Sequence, residues 1–245
     1  MSPKHSPILS HALKIPALSK LADKRIVLAS NSPRRKEILQ AIGIAPEIVP
    51  SAFAEDLPQS SFEDVHEYPV ATATHKAVEV YERLVQENPD DPPDLVIGAD
   101  TIVLSHISGP TSDFSYAQAR QDILEKPESG EDHLRMLLDL NGGMCEVVTG
   151  VSLVYPILSA PGYDIKSMDE RTLVHFADNE KSVIQAYVSN GEGRDRAGGF
   201  AIQGLGSLLV KKIDGDYNNV VGFPSTSFVK FLDLLIDEEP DFLAV

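Results

Sequence analysis

The stretch Ile26-Val27-Leu28-Ala29-Ser30-Asn31-Ser32-Pro33-Arg34-Arg35-Lys36-Glu37-Ile38-Leu39 changes its hydrophobic rhythm half-way along. Its first three residues are apolar and two of them are β-branched, which suits a buried strand. A polar turn follows, and Ser32-Pro33 reads as a helix start with serine at N-cap and proline at N1. Arg34 and Arg35 then fall in the first helical turn, where the helix dipole mildly disfavours cations. Two readings stand. One is a surface turn with two solvated arginines; the other is an anion site made of hydroxyls, backbone N–H groups and guanidinium.

Working outward, the helix from Pro33 places Ile38, Leu39 and Ile42 on one face and stops at Gly43. Residues 44–49 read as a second strand, and 50–61 as a polar loop with Ser51, Phe53, Glu55 and Asp56. A helix starting near Pro69 spaces Val70, Ala73, Ala77, Tyr81 and Leu84 at helical intervals. Lys76 lies at the border of that stripe, where a lysine ordinarily carries its head to water. Residues 94–104 (DLVIGADTIVL) form the best strand pattern in the chain. A carboxylate inside so apolar a run is costly unless it is paired or used. In open α/β sheets ligands gather at the carboxyl ends of strands. Asp100 is therefore the leading candidate for chemistry, with a structural ion pair as the other reading.

Residues 105–124 lack a clear period, contain Gly109-Pro110 and several serines, and read as a loop insertion. Ser129 caps a helix bearing Leu134, Leu137 and Leu138 that ends at Gly142-Gly143. Residues 146–155 read as a strand, the following stretch to about Met168 as a loop, and 172–176 as another strand. A short helix over 182–190 stops at Asn190-Gly191, residues 207–213 form a strand, and Asp214-Gly215 is a hairpin signal. The last helix runs from Pro224. Gly204-Leu205-Gly206 invites a phosphate-loop reading, but neither the P-loop pattern nor a GxGxxG after a strand is present. No cysteine–histidine spacing of metal type occurs.

The chain has 245 residues and a formal net charge of −16, which argues against nucleic acid or anionic membrane as a partner. Its single cysteine, Cys145, excludes an intramolecular disulfide and fits a reducing, cytoplasmic compartment, most simply as a small buried residue. Residues 1–24 lack the apolar core of a signal peptide and read as a mobile arm, leaving 25–245 as one domain.

Six separated pieces now share one resemblance. LASNSPRRKEIL (28–39), ATHKA (73–77), GADT (98–101), EKP (125–127), DRAGGFAIQGLG (195–206) and KKIDGDYNNVVGFP (211–224) occur in the order seen in the Maf family of nucleoside triphosphate pyrophosphatases. The resemblance spans residues 26–235. It implies an α/β fold like that of inosine triphosphate pyrophosphatases, with an elongated, mixed, twisted sheet flanked by helices and two lobes around a central cleft. It implies hydrolysis between the α- and β-phosphates, giving a nucleoside monophosphate and pyrophosphate, with a divalent cation (Mg²⁺ or Mn²⁺), and it suggests a homodimer.

Carried over by motif, Ser30, Arg34 and Arg35 match the substrate-contacting SxSPRR turn. Glu55 matches the acid after the second strand, Lys76 the lysine of the long helix, Asp100 the proposed proton acceptor and Lys126 the lysine before proline. Thr101 and Gln203 match base-selecting positions. Arginine after Ser-Pro, threonine after the GAD aspartate and glutamine in IQG resemble the dTTP/UTP branch rather than the branch preferring 7-methyl-GTP. An amide such as that of Gln203 can donate and accept along one edge of uracil or thymine. Glu55 and Asp100 are the hard oxygen ligands expected for the cation; which of them removes a proton stays open. Three places depart from the family pattern: Arg196 stands for a common lysine, Gly199-Phe200-Ala201 replaces Ala-Tyr-Gly, and Ala54 stands where some relatives have a second acid. The alternative from another class is a non-catalytic nucleotide sensor or division-linked scaffold on the same fold.

Overall fold

The computed structural model describes residues 5–106, 121–159, 162–239 and 241–244. Among these, seven strands form one mixed sheet flanked by helices, as the sequence implied. The strands are β1 (Ile26–Leu28), β2 (Glu47–Ile48), β3 (Leu95–His106), β4 (Gln121–Leu124), β5 (Met144–Pro156), β6 (Tyr163–Phe176) and β7 (Val210–Asp214). Their order is β2-β1-β3-β5-β6-β7, with β4 on β3. β1 runs parallel to both β2 and β3, whereas β3–β4 and β6–β7 are antiparallel. The helices are α1 (Pro16–Lys20), α2 (Pro33–Ala41), α3 (Glu67–Glu87), α4 (Gly130–Leu140), α5 (Lys181–Asn190), α6 (Tyr217–Val221) and α7 (Ser225–Glu238).

The chain divides into two compact units, and β3, β5 and β6 each contribute residues to both. The first unit comprises residues 1–100, 149–170 and 222–245. Its core packs the buried face of α3 (Ala77, Val80, Tyr81, Leu84) on Val27, Val96 and Val154. The second unit comprises 101–148 and 171–221, and its core gathers Val103, Leu137, Cys145, Val174, Ile184, Tyr187 and Phe200. Cys145 is fully buried and burial pushes its thiol pKa far up, so its packing role stands.

Several sequence expectations change. Residues 5–24 are not a mobile arm. Ile8 bridges Ile44, Leu9 N–H bonds the Gly43 carbonyl, and Ala17, Leu18 and Leu21 are buried to within 2% of complete. Gly43, with φ +92°, does more than stop α2: a Cβ there would stand 2.3 Å from that of Ala12, so the N-terminal segment needs a glycine to lie on.

The expected 105–124 loop is a strand pair at both ends, with Ser105 opposite Asp122 and His106 opposite Gln121; residues 107–120 lie outside the described residues. β6 starts at Tyr163, not Thr172, because a largely polar strand is formed by pairing rather than by burial. Of the strand expected over 207–213, residues 207–208 belong instead to a 3₁₀ turn (Leu205–Leu208), and Asp214-Gly215 leads into α6 instead of closing a hairpin.

Candidate active site

In the first unit the sheet and α3 meet with almost no space between them. A Cβ on Gly98 would lie 2.1 Å from the Ala73 carbonyl oxygen, and one on Gly150 would lie 2.4 Å from the Val70 nitrogen. Gly98 and Asp100 share one face of β3, while Ala73, Lys76 and Ala77 share one face of α3. Close approach at Gly98 therefore brings Lys76 onto Asp100. Lys76 is 6% exposed and Asp100 8%, and their Nζ and Oδ1 atoms lie 2.8 Å apart. The expected snorkelling of Lys76 to water does not occur, because a buried carboxylate awaits it.

A second carboxylate completes the pair. Glu55 Oε1 lies 2.7 Å from the same Lys76 Nζ, and the Glu55 side chain is 58% exposed. The loop carrying Glu55 is held along α3 at three levels. Ser51 Oγ and Ala52 N–H donate to Glu79 Oε2 at 2.8 and 3.0 Å, and Phe53 stacks on His75 with centroids 4.9 Å apart. The Glu55–Lys76 pair is the third level. Glu79 is in turn paired with Arg83 one helical turn on, at 2.7 Å. Burial opposes the Glu79 charge, but Arg83, Ser51 and the Ala52 amide outweigh it and hold the carboxyl below its ordinary range.

The turn after β1 supplies the cations. β1 ends at Leu28, opposite Ile97, so Asp100 projects beyond the carboxyl end of its parallel neighbour. Ser32, the expected N-cap, makes no side-chain cap bond; its own N–H donates to Ser30 Oγ at 3.2 Å instead. Arg35 Nη1 donates to the same Ser30 oxygen at 3.1 Å, and Arg35 Nε donates to the Gly222 carbonyl at 2.9 Å. Gly222, with φ +126°, turns its carbonyl toward this guanidinium, which gives the GFP end of the last motif a role that sequence reasoning missed. Burial pulls the Arg35 pKa below its usual value. Asp100 and Glu55 act against that, and Arg34 reinforces it. An arriving anion would relieve the same penalty.

Thus Ser30, Arg34, Arg35, Glu55, Lys76 and Asp100 belong to one unit, and five of them are linked by pairs or by charge around Lys76 and Arg35. Arg34 adjoins them electrostatically through Arg35. Three cationic side chains and two carboxylates meet here. Guanidinium and ammonium groups gathered in this way can meet a polyanionic ligand.

A model of the Maf-like protein family matches residues 25–235. The chain belongs to the Maf family. The human "Probable bifunctional dTTP/UTP pyrophosphatase/methyltransferase protein" is 42% identical over 219 residues, covering 89% of this chain and 33% of the human protein, so this chain spans a third of that relative's length. The fission yeast (Schizosaccharomyces pombe) dTTP/UTP pyrophosphatase is 39% identical, with 89% of this chain and 86% of the relative covered. That of Thermococcus kodakarensis is 38% identical, with 86% and 97% covered. Among solved structures, the Staphylococcus aureus Ham1 protein matches with a TM-score of 0.34 at 16% identity, covering 63% of this chain and 73% of its own.

The remaining Maf motif residues, Thr101, Lys126 and Gln203, lie in the second unit. Thr101 follows Asp100 on β3 and so takes the opposite face of that strand. Lys126 and Gln203 are exposed, and their loops are fixed through the main chain. Gly198 N–H donates to the Glu125 carbonyl at 3.2 Å, tying the EKP segment to the glycine turn. His133, wholly buried, donates from Nε2 to the Gly199 carbonyl at 2.6 Å. Among the described residues no three histidines, cysteines or carboxylates converge as a metal cage. No helix among them is long and apolar enough to cross a membrane.

Proposed function

We propose that this Maf protein is a nucleoside triphosphate pyrophosphatase acting on dTTP and UTP, releasing the nucleoside monophosphate and pyrophosphate. The observation that supports it most is the buried Lys76 held between Glu55 and Asp100, beside the Ser30–Arg35 turn. The names of the relatives at 38–42% identity, over 86–89% of this chain, point to the same substrates.

The chemistry follows from charge. A triphosphate brings about four negative charges, and Arg34, Arg35 and Lys76 offset them and the charge developing on the leaving pyrophosphate. Ser30 and Gly222 fix the Arg35 fork, so little reorganisation is needed at the moment of reaction. Asp100 is the better placed base, being buried and set on a strand, whereas Glu55 is exposed on a loop. It takes the proton of a water as that oxygen bonds the α-phosphorus; the bond to the β-phosphate oxygen breaks and pyrophosphate leaves with the electron pair.

A divalent cation fits this pair of carboxylates. Mg²⁺ is commonly held by one or two carboxylates together with substrate phosphate oxygens and water. Glu55 and Asp100 would hold it, and when bound it would neutralise phosphate charge.

Thr101 and Gln203 select a pyrimidine base, and Lys126 meets substrate phosphate, as the motif match implies. The acidic surface and the sole, buried cysteine support action on free nucleotides in the cytoplasm, without nucleic acid or membrane, and the family suggests a homodimer. The test is a turnover panel of nucleotides with Mg²⁺ and Mn²⁺. UTP and dTTP should be cleaved fastest. Tight UTP binding without turnover would leave the sensor reading in its place.

A further inference from the structure

The glycine run Gly204-Leu205-Gly206 that resembles a phosphate loop has another explanation in the second unit. α5 ends at Gly191 in the left-handed region (φ +84°), and the next residue, Glu192, turns its carboxylate onto that run. Oε1 accepts the Leu205 N–H at 3.0 Å and Oε2 accepts the Gly206 N–H at 2.9 Å. The backbone approaches so closely that a Cβ on Gly204 would lie 1.9 Å from Glu192 Oε1, and one on Gly206 would lie 2.4 Å from the Ala201 carbonyl oxygen. Gly204 is there for a carboxylate of this chain, and Gly206 for the backbone of Ala201.

The other end of the segment is held by Tyr187. Ala201 N–H donates to the Tyr187 hydroxyl oxygen at 3.1 Å. Burial raises the Tyr187 pKa; the Ala201 bond works the other way, and the Glu192 charge and its hydrogen bond to the phenol raise it further. The phenol therefore stays protonated beside the Glu192 charge while its oxygen accepts the Ala201 N–H. Between the two anchors lie only Ile202, Gln203 and Gly204, and Gln203 is exposed. A side-chain amide distinguishes one base edge from another only when its orientation is fixed. Charge-assisted bonds to two consecutive backbone amides are a strong way to fix it.

We propose that Glu192 is a positioning residue for base selection, holding the Leu205 and Gly206 amides so that Gln203 meets the pyrimidine edge in one orientation. This rests on the reading of Gln203 as base-selecting. Glu192 acts through the loop and does not itself touch substrate. In Glu192→Gln the side-chain oxygen can keep one amide, while its NH₂ opposes the other, and the loop loosens.

The experiment measures kcat/KM for UTP and CTP in the full chain and in Glu192→Gln, Gly204→Ala, Gln203→Ala and the Glu192→Gln/Gln203→Ala double variant. Thermal midpoints are recorded alongside. Glu192→Gln should lower the UTP:CTP ratio about tenfold, mainly through KM for UTP. Gln203→Ala should lower it at least as much, and the double variant should add little, since both act on one contact. Gly204→Ala displaces the carboxylate from the opposite side and should lower the ratio even if Glu192→Gln fails to fold. Equal losses on both nucleotides with the ratio unchanged, in Glu192→Gln or in Gly204→Ala, would make Glu192 a scaffold residue and overturn the proposal. An unchanged ratio in Gln203→Ala overturns the base-selection reading itself, and the proposal falls with it.

Discussion

The charged cluster of the first unit and the Gln203 loop of the second are built by opposite means. Around Lys76 and Asp100 the contacts run from side chain to side chain, on a helix and a strand pressed together at Gly98. Around Gln203 the contacts run to the backbone, from Glu192 and Tyr187, and the side chain of interest is left in solvent. The difference matches the proposed tasks. Phosphate charge is stabilised best by groups already paired and desolvated, whose geometry cannot relax. Base choice needs a hydrogen-bonding edge in reach of solvent until the nucleotide arrives. The first kind of site should be broken by single charge changes, and the second should lose selectivity before it loses rate.

The largest expected effect is that of Asp100→Asn, which removes the proposed proton acceptor. Pyrophosphate release from UTP should fall by about 10²–10⁴-fold. A variant with full activity would remove Asp100 from its role.

Next is Lys76→Met, which strands a buried Asp100 carboxylate. Breaking a buried pair in this way costs about 3–5 kcal/mol. Urea unfolding should show much of that loss, and Lys76→Met/Asp100→Asn should regain part of it. Equal stability of the single variant and the parent chain would mean that Asp100 is solvated after all.

Gly98→Ala tests the close approach itself. Its Cβ would stand 2.1 Å from a backbone oxygen of α3, so the helix must move and carry Lys76 with it. A displacement near 1 Å at reacting groups costs about 100-fold in rate. Retained kcat with retained stability would show that the helix–strand contact does not set the site.

The smallest effect concerns Glu79, which holds the loop preceding Glu55. Its folded pKa is lowered, so its stabilising contribution is present above the unfolded carboxylate pKa and is lost as pH falls through the folded value. Solvent screening keeps that contribution small. The protection factor of the Ala52 amide against exchange should fall on acidification over that window, and Glu79→Gln should abolish that fall. An Ala52 protection factor that ignores pH in the parent chain would break the link.

The sequence exposes some of this plan and hides the rest for physical reasons. The strand, turn and helix of residues 26–41 are legible because hydrophobic rhythm, Ser-Pro punctuation and the glycine stop agree. Asp100 is legible because a carboxylate interrupts an apolar run. The burial of Lys76 is not, since a lysine at a stripe border ordinarily reaches water; only the pairing of Gly98 with Ala73 across space reverses that default. The first half of β6 escapes notice because Lys166, Ser167, Asp169 and Glu170 give it no apolar face. Leu18 and Leu21 look like loose apolar residues of a tail until α7 and the rest of the first unit provide somewhere to bury them. Glu192 has no signature because its partners are amide groups, which every residue has.

The clustered acids and cations are proposed to direct water to the α-phosphorus of a pyrimidine triphosphate. Product analysis after UTP turnover with a divalent cation tests it most directly. UMP and pyrophosphate in equal amounts are predicted, whereas UDP with orthophosphate would place the attack at the γ-phosphorus and contradict the account.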